Sequence, residues 1–134
     1  MKKALNKLTA PKSVMPEKII QFGEGNFLRA FVDWIVWNMD AKTNFNGSVV
    51  VVQPIERGMV EWLNGQDCLY HVNLQGRLKG EAVNTLERID VISRALNPYS
   101  QNAAFMALAE QPEIRFVISN TTEAGITFDP ACKF

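Results

Sequence analysis

Two glycines one residue apart, Gly23 and Gly25, close a short apolar run, Ile19-Ile20-Gln21-Phe22, and stand directly before a stretch with helical spacing. Residues of this type in this order suit the binding of a pyrophosphate. A strand that turns into a helix through Gly-x-Gly offers an anion both exposed backbone N–H groups and the positive end of a helix. Here Gly23 would make the turn, Gly25 would admit the phosphate, and the amides of Asn26 and Phe27 would point at it. Leu28 replaces the third glycine of the full dinucleotide pattern, and Glu24 opposes an anion unless its side chain faces away. On pattern alone, an ordinary strand–helix turn accounts for the two glycines equally well.

The same chemistry asks for an acid near the end of the second strand, to accept hydrogen bonds from an adenosine ribose. Gln53 and Pro54 end that strand, so Glu56 is the first candidate. An ion pair with adjacent Arg57, or a solvated loop charge, explains Glu56 as well. A third polar group, Asn120-Thr121-Thr122-Glu123-Ala124-Gly125, follows a strand at 115–119, at the edge where open α/β sheets bind ligands. His71, the sole histidine, has no lysine at a useful spacing and reads as structural, and Tyr70 beside it as a packed ring. Trp34, Trp37 and Trp62 read as packing residues.

The elements that must position these groups alternate in period. Residues 18–22 form a buried strand. Phe27, Phe31, Trp34 and Ile35 make one apolar helix face, with Asn26 as its N-cap and an end near 42–46. Val49-Val50-Val51-Val52 suits a strand covered on both sides. Strand, glycine turn, helix and strand are one βαβ unit. A short helix at 55–66, a strand at 69–74, a return strand at 82–93, a helix at 99–110 and the strand at 115–119 complete the chain. The fold class is α/β, a Rossmann-like dinucleotide-binding domain with a mainly parallel sheet and a small antiparallel addition. Three parallel strands stand against the roughly six of a complete dinucleotide fold, so the domain is expected to be cut short.

Bulk properties narrow the function. The 134 residues carry 14 basic and 14 acidic side chains, which leaves no global field for nucleic acid or an anionic membrane. Cys68 and Cys132 are far apart and sit in no metal-ligand pattern, so a reducing cytoplasm is the expected compartment and no metal is expected. Neither a signal-peptide core nor an apolar run long enough to span a membrane is present in the sequence.

Three segments carry a resemblance. Gly23-Glu24-Gly25-Asn26-Phe27-Leu28-Arg29-Ala30-Phe31, Gln66-Asp67-Cys68-Leu69-Tyr70 and Asn120-Thr121-Thr122-Glu123-Ala124-Gly125 resemble, in order and spacing, the long-chain mannitol dehydrogenase family. In that family Phe-x-Arg-Ala follows the glycine turn, and glycine is usual where Cys68 stands. The likeness covers residues 17–128 and implies NAD as cofactor. The cofactor-binding residues it implies are Ile20, Phe22, Gly23, Glu24, Gly25, Asn26, Phe27, Leu28, Arg29, Glu56, Asn120, Thr121 and Glu123. Ile19–Trp34 and Ser119–Ile126 are similar to a branch that reduces a hexuronate-derived keto acid with NADH. A fructuronate or mannitol enzyme of the family, or a free-standing nucleotide-binding module, are the alternatives. Gln53 departs from the basic residue expected of close relatives. The family's Lys-x-x-x-x-Asn-x-x-His catalytic motif lies in a second, helical domain, and nothing in this chain matches it. Residues 1–16 are therefore read as an arm and 17–134 as an incomplete cofactor domain without catalytic residues, inactive alone and prone to self-association.

Overall fold

The four valines at 49–52 are each 0% exposed. Neighbours in a strand point to opposite faces, so such a run requires cover on both. The structure, a computed structural model describing residues 4–121, 123–126 and 128–131, shows how it is supplied. Val49 and Val51 join Ile19, Val36, Leu63 and Ile92 on one face, while Val50 and Val52 join Ile20, Leu96 and Leu108 on the other.

The elements run β1 (Glu17–Phe22), a π-helical turn (Leu28–Val32) leading into α1 (Asp33–Lys42), β2 (Ser48–Val52) and α2 (Val60–Gly65). Then come β3 (Tyr70–Leu78), β4 (Glu81–Ile89), β5 (Ile92–Leu96), α3 (Asn102–Met106) and β6 (Phe116–Ser119). The main sheet is parallel, in the order β5-β2-β1-β6. Taken by appearance, its strands stand 3-2-1-4, and β1 lies where the winding reverses. Side chains of α1, α2 and the root of the β3–β4 hairpin pack on one face, and those of α3 and the turn after it on the other. The antiparallel hairpin closes through Lys79 and Gly80, both with positive φ (52° and 89°), as a two-residue hairpin turn requires.

Four expectations need correction. The return strand does not run to 93: β4 ends at Ile89, and Ile92–Leu96 is a fourth parallel strand. Ser93 and Arg94 disguised it. Their polarity is absorbed by Glu17, which accepts from Ser93 Oγ at 2.9 Å and from two Arg94 nitrogens at 2.8 Å each. The helix buries a different face from the one its apolar residues suggest. Phe27 and Phe31 are 55% and 53% exposed and lean on each other, whereas Leu28, Arg29, Asp33 and Val36 point inward. The π turn adds a residue to the repeat, which rotates the register of what precedes it. Asn26 is not the N-cap either. It is already helical, and Arg29 N–H donates to the carbonyl of Gly25. Trp62 is exposed rather than packed, while Trp34 and Trp37 lie against the core.

The segment before β1 is docked. Lys12 Nζ donates to the carbonyls of Asp67 (2.6 Å) and Ser93 (2.8 Å), and the Ser13 hydroxyl donates to Asp90.

Candidate cofactor-binding site

Register assembles the site. Phe22 pairs with Val52 and with Ser119, and Val52 pairs with Leu96. Gly23, Gln53, Asn97 and Asn120 therefore leave the sheet side by side at its carboxyl edge, at the reversal point where such sheets bind ligands.

The two glycines do different work. Gly23 has φ +118°, its N–H donates to Val52 O at 2.9 Å, and a Cβ there would lie 3.0 Å from Leu28 Cδ1. Gly25 has an ordinary backbone angle, and a Cβ on it would meet nothing within 4 Å. Gly23 is thus a requirement of the fold, whereas the space above Gly25 is used by nothing in the described chain. The amides of Asn26 and Phe27 precede the first intrahelical donor, Arg29, and so belong to the unfilled group at a helix start. Glu24 does face away: its side chain is buried, and Oε1 accepts from Met59 N–H at 3.4 Å. That removes the carboxylate's objection to an anion.

Beneath the turn lies a buried polar cluster. The Arg29 guanidinium donates to Glu24 O (2.8 Å) and to Asn26 Oδ1 (2.7 Å), and it stacks on the rings of Tyr70 and Trp62. Among the described residues the ion pairs are Lys7–Asp67 and Arg94–Glu17, so Arg29 has no carboxylate partner. Tyr70 O–H donates to Arg29 O at 2.9 Å, and its oxygen lies 3.2 Å from Asp33 Oδ2. Gln21 Nε2 donates to Gly23 O at 3.2 Å, with Asp33 Oδ2 at 3.4 Å. Burial pushes the Asp33 carboxyl up to about 7, against the lowering effects of Gln21, Tyr70 and Arg29. Burial also drives the Tyr70 phenol upward, which keeps it a hydrogen-bond donor.

Glu56 sits on an exposed loop shaped by two side chains. Gln53, itself buried, donates from Nε2 to the carbonyls of Ile55 (2.7 Å) and Glu56 (3.0 Å), and its Oε1 accepts from Val60 N–H. Asn97 Nδ2 donates to Glu56 O at 3.0 Å. Both bonds go to the Glu56 main chain and leave its carboxylate free; the residue has no ion pair with Arg57 and lines a small cleft with Gln53, Gly58 and Asn97. Gln53 is therefore an organiser of the loop, the role its departure from a basic residue left open.

Asn120 and Thr121 are exposed beside the turn; Thr122 and the side chain of Glu123 lie outside the described residues. Phe22 caps β1 against the edge of Phe105. Ile20 is packed in the core with Val50 and Leu108 and supports the turn from below. Leu28 fills the space under Gly23, and Phe27 stands exposed beside the turn. His71 is exposed on β3, in an opening shared with Asn26, Arg29 and Tyr70. Sequence reasoning missed Gln21, Asp33 and Asn97. Gln21 had a signal, as a polar residue inside the apolar run of a buried strand, but Asp33 did not, because the face expected to turn inward was that of Phe27 and Phe31. Asn97 had none.

The mannitol dehydrogenase Rossmann domain profile matches residues 17–132. An altronate oxidoreductase of Phocaeicola vulgatus is 79% identical over 131 residues, 98% of this chain and 27% of that protein. Those of Bacteroides thetaiotaomicron and Escherichia coli O9:H4 are 77% and 48% identical, with 98% of this chain and 27% or 28% of theirs covered. The chain thus spans little more than a quarter of the curated relatives it matches. Two solved structures share the fold. One is Pseudomonas fluorescens mannitol 2-dehydrogenase in a ternary complex with NAD and D-mannitol (TM-score 0.70, 24% identity, 87% of this chain and 26% of that one). The other is a substrate-free D-sorbitol dehydrogenase (TM-score 0.72, 23% identity, 90% and 25%). With a turn, a sheet order and a sequence that all agree, this chain belongs to the mannitol dehydrogenase family, whose Rossmann domain it carries.

Proposed function

We propose that this chain is the NAD-binding portion of a reductase that converts tagaturonate to altronate with NADH, in galacturonate breakdown. The observation that carries the cofactor reading is the empty space over Gly25, at a strand–helix turn whose one carboxylate is turned away. Altronate as the product rests on the name borne by relatives up to 79% identical.

When bound, NADH supplies a hydride to a carbonyl carbon. The residues here bind and orient. Gly23 sets the turn, Gly25 leaves room, and the amides of Asn26 and Phe27 meet the pyrophosphate, with the Arg29 charge behind them. Glu56 accepts hydrogen bonds from the adenosine ribose on a loop fixed by Gln53 and Asn97. Asn120, Thr121 and Glu123 line the other side of the crevice. The acid/base group of the reaction belongs to another part of the enzyme.

A carboxylate at Glu56 repels a 2′-phosphate, so the enzyme should prefer NADH to NADPH. Glu56→Ser should narrow that preference, read as the ratio of kcat/KM values for the two cofactors with tagaturonate and fructuronate as competing substrates. Equal use of NADPH by the unaltered enzyme would show that Glu56 does not face the ribose. Preference for fructuronate would transfer the substrate assignment to that sugar acid.

A further inference from the structure

Beneath the proposed pyrophosphate turn, Asp33 is 0% exposed on the inward helix face that it shares with Leu28, Arg29 and Val36. Its hydrogen bonding suits a neutral carboxyl better than a carboxylate. A buried carboxylate needs several good donors. Asp33 Oδ2 is offered only Gln21 Nε2 at 3.4 Å and the Tyr70 hydroxyl at 3.2 Å, and Oδ1 is buried with no partner. Tyr70 has a single proton, and its shorter contact, 2.9 Å, is to the carbonyl of Arg29. That leaves the Tyr70 oxygen free to accept a proton held by Asp33. Gln21 Oε1 is also buried and without a partner.

Neutral, Asp33 has two effects on the turn. It holds Gln21 against Gly23 O in the glycine turn and Tyr70 against Arg29 O in the first helical turn after it, bracing the turn and the helix start together. It also leaves the Arg29 cation, which grips Glu24 O and Asn26, without a neutralising charge. We propose that Asp33 is a positioning residue that works in its protonated form, bracing the glycine turn and leaving the charge of Arg29 to the cofactor's pyrophosphate, so that cofactor binding is coupled to one proton at Asp33. This rests on the cofactor reading above. The ionisable groups on the packed elements are Arg29 on the helix, Glu24 in the turn, Tyr70 and His71 on β3 and Glu87 on β4.

Burial holds the Asp33 carboxyl near 7, so the coupling falls in an accessible range. A bound dianion disfavours a second negative charge beneath it. Binding therefore raises the affinity of Asp33 for its proton, and NADH should bind more weakly as pH rises through that value. The test is the NADH dissociation constant of the intact enzyme between pH 6 and 8.5, by fluorescence titration. The wild type should lose roughly fivefold in affinity across the range, on the scale of a screened charge pair. Asp33→Asn should bind with the low-pH affinity throughout, and His71→Gln should keep the wild-type profile. Calorimetry of the wild type in two buffers of different ionisation enthalpy should show proton uptake on binding at pH 7, a readout that needs no variant to fold. A flat wild-type profile without proton uptake overturns the proposal and leaves the cofactor reading intact. A slope lost in His71→Gln but kept in Asp33→Asn also overturns it. Failure of the wild type to bind NADH at any pH overturns both.

Discussion

Two tight turns in this chain force backbone into a conformation that side chains resist, and they are handled in opposite ways. At 66–69 the central residues Asp67 and Cys68 both have positive φ (53° and 58°), and Leu69 N–H donates to Gln66 O at 3.0 Å. Asp-Gly favours such a turn, which explains the glycine usual at this point in the family. Here Cys68 takes the place. Its thiol is buried, donates to Asn64 Oδ1, and is pushed up to about 11 by burial, so it is an inert packing group. At 23–25 the strained position is kept as glycine, and the unstrained one is glycine too, with nothing above it. A turn that serves packing can admit a side chain at some cost. The second glycine, which the backbone does not require, stands at the carboxyl edge of the sheet, where the proposed pyrophosphate would approach.

Gly23→Ala should have the largest effect on the fold. It places a Cβ at a positive φ and 3.0 Å from Leu28 Cδ1. Strain and overpacking together should cost about 2–5 kcal/mol, read as a lowered unfolding midpoint in urea. An unchanged midpoint would mean that the turn is not rigid and that Gly23 is not required by the backbone.

Cys68→Gly should do much less. Relief of the left-handed backbone, about 1–2 kcal/mol, is set against the packing lost when a buried side chain leaves. The net change should lie within about 1 kcal/mol in either direction. A loss of several kcal/mol would show that the thiol's contact with Asn64, which also bonds both backbone groups of Ala95, anchors β5.

The same contrast explains what could be read in advance. Short apolar runs marked β1 and β2, which stop at Gly23 and before Pro54, and β6, which stops at the polar loop from Asn120. β5 was hidden because half-buried Ser93 and Arg94 pair with Glu17, 76 and 77 residues away, and such pairing has no local signature. The helix was placed, but its inward face was not: Phe27 and Phe31 obey the helical period, and the π turn breaks it. At the site, the glycines, the Arg29 position and the order of the three carboxyl-edge loops were legible. The polar layer of Gln21, Asp33 and Tyr70 was not, because it forms only when β1, α1 and β3 meet.

The proposed function places a pyrophosphate in the space over Gly25. Because Gly25 has an ordinary φ and no neighbour within 4 Å of a Cβ, Gly25→Val in the intact enzyme should melt close to the wild type. It should also lose the phosphate hydrogen bonds of the Asn26 and Phe27 amides, each contributing roughly 1.5–3 kcal/mol. NADH affinity, measured by fluorescence quenching beside the melt, should then fall at least about tenfold. Unchanged NADH affinity in a folded Gly25→Val protein would show that no phosphate approaches the backbone there.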